Sequence, residues 1–140
     1  MHLPQIRCYH SAGLINPHVF FILSKGSNAG QPSFKPWTNC FQVVCTNNKW
    51  FDFYFWLCYG LFKAGKFKIY QRGSVIPFTN KGDVQELFNE MAPQIYPYWD
   101  QYQKIIEALS NLEQKKATLA EQIIATEKLQ SHLIRSYFMQ

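Results

Sequence analysis

Apolar and polar positions follow several distinct rhythms along this chain. Residues 18–24 (HVFFILS) form a short apolar run flanked by turn residues, which predicts a strand. Residues 25–36 (KGSNAGQPSFKP) hold two Gly, two Pro and two Ser and read as an irregular loop. A second β-type run at 40–45 (CFQVVC) is ended by Asn47 and Asn48. Residues 50–62 (WFDFYFWLCYGLF) are ambiguous by composition, because aromatics favour a strand. Thirteen residues without a turn signal favour a helix buried on most faces, and helix is the expectation taken here, ended by Gly65. Residues 67–70 and 74–78 then read as short strands around Arg72 and Gly73. Asn80 is placed to cap a helix whose apolar stripe is Val84, Leu87, Phe88 and Met91, with Pro93 as its stop and Pro97 opening the next helix.

From Tyr98 to about Tyr137 neither Gly nor Pro occurs. Tyr102, Leu109, Lys116, Ile123, Gln130 and Tyr137 recur every seven residues, as do Ile105, Leu112, Leu119, Thr126 and Leu133. Together they are the a and d positions of a seam sustained for about five heptads. Ile106, Ile124 and Ile134 widen its apolar face, and Lys116, Thr126 and Gln130 interrupt it with polar groups. One reading is a long core helix lying on the preceding module. The favoured one is a coiled-coil arm of roughly 60 Å that needs a partner helix. The expected fold is therefore α+β, a small mixed α/β module at 1–92 followed by a long helical coiled-coil arm at 93–140. The residues expected to face a partner helix, in a homodimer or a heteromer, are Tyr102, Ile105, Leu109, Leu112, Leu119, Ile123, Leu133 and Tyr137.

Composition narrows the class of protein. The chain has 140 residues, 47% hydrophobic, 17% aromatic and only 16% charged, so it can bury enough apolar surface to order itself and is not disordered as a whole. No segment has the ~18 successive apolar residues that a bilayer crossing requires. Residues 1–10 lack a basic stretch followed by an apolar one, so no signal peptide is expected, and a cytoplasmic location with no membrane association is. The net charge of +5 is unevenly placed. Residues 1–92 hold nine basic and four acidic side chains, whereas residues 93–140 hold five of each. A basic module therefore precedes a neutral arm.

Candidate chemistry is sparse. Cys8, Cys40, Cys45 and Cys58 contain no CxxC pair, and Cys8 with His10 lacks a second pair of ligands, so free thiols are expected and no metal. The histidines are scattered at 2, 10, 18 and 132. The Gly-rich run Lys25-Gly26-Ser27-Asn28-Ala29-Gly30 lacks the Gly-Lys-Ser/Thr ending of a phosphate loop. Arg72-Gly73-Ser74 lacks the flanking glycines of a nucleophile elbow. No set of catalytic residues and no cofactor is expected. Lys63, Lys66, Lys68 and Arg72 do cluster within ten positions, interleaved with Phe62, Phe67 and Tyr70, a pattern suited to phosphates and bases of duplex DNA, with Lys25 and Lys35 on a nearby loop as lesser candidates. On a strand Lys66 and Lys68 share a face. The competing reading is a solvated strand edge, where lysines discourage aggregation.

The order of features resembles the C-terminal part of a target recognition domain, plus the long helix that follows it, in type I restriction–modification specificity subunits. The residues that carry the resemblance are Asn39-Cys40-Phe41-Gln42-Val43, Phe55-Trp56-Leu57, Arg72-Gly73-Ser74-Val75-Ile76-Pro77-Phe78, Lys81, Asp83-Val84, Pro93, Pro97 and Ile105-Ile106-Glu107-Ala108-Leu109, across about residues 37–136. Two features depart from that family. Gln101 lies four residues before Ile105, so that Tyr102 takes the place expected of a glutamine, and the part before the Gly-Ser turn is short for a complete recognition domain. Residues 1–36 have no counterpart. The chain also looks like small uncharacterised proteins of Bacteroidetes and their mobile elements, a likeness that implies no activity. The first resemblance implies a non-catalytic DNA-binding protein, a half specificity subunit whose helix pairs antiparallel with a second copy. The rival expectation is a protein-interaction or regulatory module that acts through its coiled coil without DNA.

Overall fold

The computed structural model describes residues 1–10, 17–73 and 75–139, and divides the chain into two compact units, Met1–Trp99 and Asp100–Gln140. The first unit is built on a four-stranded antiparallel sheet in the order β1-β4-β2-β3, with β1 at Gln5–Cys8, β2 at Val19–Leu23, β3 at Pro32–Ser33 and β4 at Cys40–Val44. Register is set by alternation, because a slip of one residue would turn the apolar set outward. Val43 stands opposite Ile6 on one side and Phe20 on the other, and Phe41 stands opposite Ile22. These five side chains line the buried face.

Two helices complete the core. The first, α1 (Asn48–Lys63), starts where Asn47 Oδ1 accepts the Trp50 backbone N–H at 3.1 Å. Trp50, Phe53, Tyr54, Leu57, Cys58 and Leu61 lie three or four apart and are all buried. The second, α2 (Lys81–Ile95), is capped in the same way, Asn80 Oδ1 accepting the Asp83 N–H at 2.8 Å, and buries Val84, Leu87, Phe88 and Ala92. Sheet, α1 and α2 share one apolar cluster. Each fully buried large side chain there contributes roughly 1.5–3 kcal/mol. The α+β expectation holds, with α3 (Trp99–Phe138) as the long C-terminal helix.

Several local expectations are corrected. Residues 66–70 form a 3₁₀ helix, Lys66–Tyr70, rather than a strand. Gly65, at φ +75°, turns the chain out of α1, and Phe67, the one buried residue of the segment, pins it to the core. Phe67 and, three residues on, the half-buried Tyr70 pack on that core, a spacing that suits a 3₁₀ turn and no sheet face. Residues 74–78 form no strand among those described; Ser74 lies outside them, and the segment's ladder is limited to isolated bridges of Phe78 with Lys25 and with Arg72. Pro93 does not stop α2, which runs to Ile95. At the last turn a proline removes one backbone donor and leaves the side-chain packing intact. The expected boundary at 92/93 therefore falls inside α2. Strands β1 and β3 were not anticipated, being short edge strands with one buried residue each.

Candidate interaction surfaces

The basic residues singled out from the sequence fall into three settings. Lys63 ends α1, with Nζ 5.5 Å from the Tyr59 ring centroid. Lys66 and Lys68 are exposed on either side of the buried Phe67. At three residues per turn they diverge by about 120°, so they do not share the face that a strand would have given them. Arg72 is ion-paired: its Nε donates to Asp83 Oδ2 at 3.2 Å and its Nη2 to Oδ1 at 3.4 Å. Asp83 itself lies in the first turn of α2, where a carboxylate also suits the helix dipole. Much of the Arg72 charge is thus spent inside the fold, although 58% of its side chain faces solvent.

The fold also makes a grouping that the sequence did not. Phe78 bridges antiparallel to Lys25 on one side and to Arg72 on the other. The Arg72 and Phe78 backbones exchange hydrogen bonds at 2.8 and 2.9 Å. Directly opposed residues of an antiparallel pair point to the same side, so Lys25, Phe78 and Arg72 form a cation–aromatic–cation row. Val75 and Ile76 beside it are strongly exposed. Lys35 is exposed on the loop after β3, its backbone N–H bound to Ser33 Oγ at 3.1 Å.

The thiols are set by burial. Cys8 is exposed and Cys40, Cys45 and Cys58 are buried, all four as free thiols. Burial raises Cys40 above its ordinary value, partly offset by a backbone hydrogen bond at Trp37, pushes Cys45 up to about 12, and holds Cys58 well above its ordinary value. Protonated thiols of this kind are poor nucleophiles and poor metal ligands. Among the described residues no three His, Cys, Asp or Glu side chains are grouped to hold a metal ion.

The long helix carries the other surface. Of the eight seam residues, Tyr102 and Leu109 are half-buried, whereas Ile105, Leu112, Leu119, Ile123, Leu133 and Tyr137 are at least half exposed. From residue 114 to residue 139 every position is exposed, Ile124, Leu129 and Ile134 included. A stripe of this length exceeds the scattered apolar exposure of an ordinary surface. Leu119, Gln122, Ile123 and Thr126, with Glu127 at the margin, border a shallow recess. Three seam residues, Leu119, Ile123 and Thr126, with Gln122 on the flank, frame the kind of hole that receives a side chain from a second helix. Among the described residues, no helix is long and apolar enough to cross a membrane.

Residues 6–136 match a family of unknown function, DUF6943, and the chain belongs to that family. No curated protein and no solved structure matches it.

Proposed function

We propose, for this member of the family, that α3 is the working surface and that the protein is a helix-mediated assembly module in the cytoplasm. The observation that supports this is the seam of α3, whose side chains Ile105, Leu112, Leu119, Ile123, Leu133 and Tyr137 are all at least half exposed. Pairing with a second helix would bury them and fill the recess at Leu119 to Thr126. Light scattering at micromolar concentration is expected to give a mass above the 16.5 kDa of one chain. Leu112→Asp and Leu119→Asp each put a carboxylate into the dry seam and are expected to return the mass to that of a monomer. A monomer before any substitution would remove the reading.

A second reading, duplex DNA contact by the first unit, is favoured by the charge excess of residues 1–92 and by the Lys25–Phe78–Arg72 row with Lys66 and Lys68 exposed nearby in sequence. Here the two readings combine as in a half specificity subunit, with the helix pairing two basic modules on one duplex. Such contacts are to phosphate and carry no sequence preference. Binding should fall with salt at a log–log slope of about −0.9 per phosphate neutralised, and Lys66→Glu with Lys68→Glu should flatten that slope on every duplex alike. No duplex binding at low salt would leave α3 as the sole functional surface.

A further inference from the structure

The polar interruptions of the α3 seam are arranged about a centre. The a positions 116, 123 and 130 and the d positions 112, 119 and 126 meet in pairs when two copies run antiparallel, each layer joining an a residue to a d residue. With the two-fold axis beside Glu121, Lys116 lies opposite Thr126 of the second copy. Ile123 then meets Leu119, Leu109 meets Leu133, and Tyr137 meets Ile105, each of these layers occurring twice. Only Gln130 opposite Leu112 mixes polar with apolar. Sliding the pair by one heptad in either direction breaks this pattern. One slide sets Lys116 opposite Leu119, and the other sets it opposite Leu133; in both, Thr126 also faces an aliphatic side chain. A parallel pair in register does worse, because two Lys116 ammonium groups then share one dry layer.

Side-chain chemistry agrees with the Glu121-centred register. Thr126 Oγ1 donates to the Gln122 carbonyl at 2.8 Å, so its hydrogen is satisfied within its own helix and its oxygen lone pairs are left to accept. On the heptad wheel, positions a and e are neighbours, and the e edges of antiparallel helices face each other. Glu113 and Glu127 are both e residues. In this register Glu127 of the second copy lies about 1.5 Å along the axis from the Lys116 layer, and Glu113 of the same chain about 4.5 Å from it. Each Lys116 ammonium thus sits between two carboxylates beside a hydroxyl acceptor, and the charge that would oppose a parallel pair favours this one.

Resting on the assembly reading above, we propose that the partner of α3 is a second copy of this chain, antiparallel and in a single register with Lys116 opposite Thr126. Polar seam residues of this kind fix register and orientation while reducing stability. Short-reach cross-linking of thiols tests it, on a Cys8→Ser background because Cys8 is the exposed native thiol. Leu109→Cys with Leu133→Cys on the same chain is expected to give a covalent dimer with a short bismaleimide. Either substitution alone is expected to give none, because like positions then stand about 36 Å apart along the axis. A covalent dimer from Leu133→Cys alone would mean a parallel pair, overturning the proposal while the assembly reading stands. A dimer by light scattering that neither the double nor the single variants cross-link would overturn the register alone. A monomer by light scattering would overturn both.

Discussion

Gly30→Ala is expected to be among the costliest single-methyl additions in the first unit, and Gly26→Ala separates the two reasons. Both glycines adopt left-handed backbone, at φ +101° and +96°. An L side chain there costs roughly 1–2 kcal/mol at either position. Their surroundings differ. A Cβ on Gly26 meets nothing within 4 Å, whereas one on Gly30 overlaps Phe67 Cγ and falls 2.6 Å from its Cδ2. Phe67 is 2% exposed and pins the Lys66–Tyr70 turn, so the ring has little room to yield. Overpacking of this kind adds about 1–3 kcal/mol. Gly26→Ala should therefore lose about 1–2 kcal/mol and Gly30→Ala about 2–5 kcal/mol. Urea unfolding followed by tryptophan fluorescence reads the first unit alone, because Trp37, Trp50, Trp56 and Trp99 all lie within Met1–Trp99. Phe67→Ala by itself should cost about 3–5 kcal/mol, as for other buried phenylalanines. Combined with Gly30→Ala it removes the overlap, so the double variant should lose about 1–3 kcal/mol less than the two single losses added. Equal losses at Gly26 and Gly30, or strict additivity of the pair, would refute the close approach of Gly30 to Phe67.

Tyr54 is fully buried, and its hydroxyl has no hydrogen-bond partner among the described residues, so Tyr54→Phe should raise stability by about 1 kcal/mol in the same unfolding assay. Stability should also fall at alkaline pH. Burial holds Cys45 at about 12 against an ordinary 9.0, and burial with the neighbouring Cys45 holds Tyr54 at about 12 against 10.0. The unfolded chain releases these protons first, so the stability they contribute is complete below pH 9 and is lost as pH rises from 9 toward 12. For Cys45 this amounts to on the order of 1 kcal/mol per pH unit, and unfolding midpoints at pH 8 and pH 10.5 should show the decline. A thiol reagent should modify Cys8 rapidly in the native protein and the other three cysteines only on unfolding; fast reaction of two or more would contradict their burial. Arg72→Ala should lose about 1–3 kcal/mol by stranding the Asp83 carboxylate, whereas Lys66→Ala and Lys68→Ala should stay within about 0.5 kcal/mol, as measured by urea unfolding.

The parts of the fold that local pattern controls were legible. Asn80 stands where the cap of α2 must, and the α2 stripe carries a helical period that no strand can satisfy, whereas α1 is legible only from thirteen residues without a turn signal, its cap Asn47 reading equally well as the end of β4. The heptads of α3 extend over forty residues, long enough for the period to dominate any local ambiguity. Where a segment's conformation is decided by a distant contact, the pattern misled. Phe67 to Tyr70 alternate like a strand, yet one ring seated against Gly30 makes the segment a 3₁₀ helix. Arg72 reads as part of a lysine cluster until α2 brings Asp83, eleven residues on, to its guanidinium. Phe78 joins Lys25 to Arg72 only because the chain returns beside the loop after β2. Strands β1 and β3 give almost no periodic signal, since each offers the core a single side chain.

Hydrogen exchange along α3 at several protein concentrations tests the central claim most directly. Amides between Ile105 and Leu133 are expected to gain protection as concentration rises and lose it on dilution, while amides of α1 exchange at one rate throughout. Leu119→Asp should abolish the concentration dependence without altering α1. Exchange in α3 that is the same at every concentration would mean that the seam has no second copy to meet, and would contradict the assembly reading.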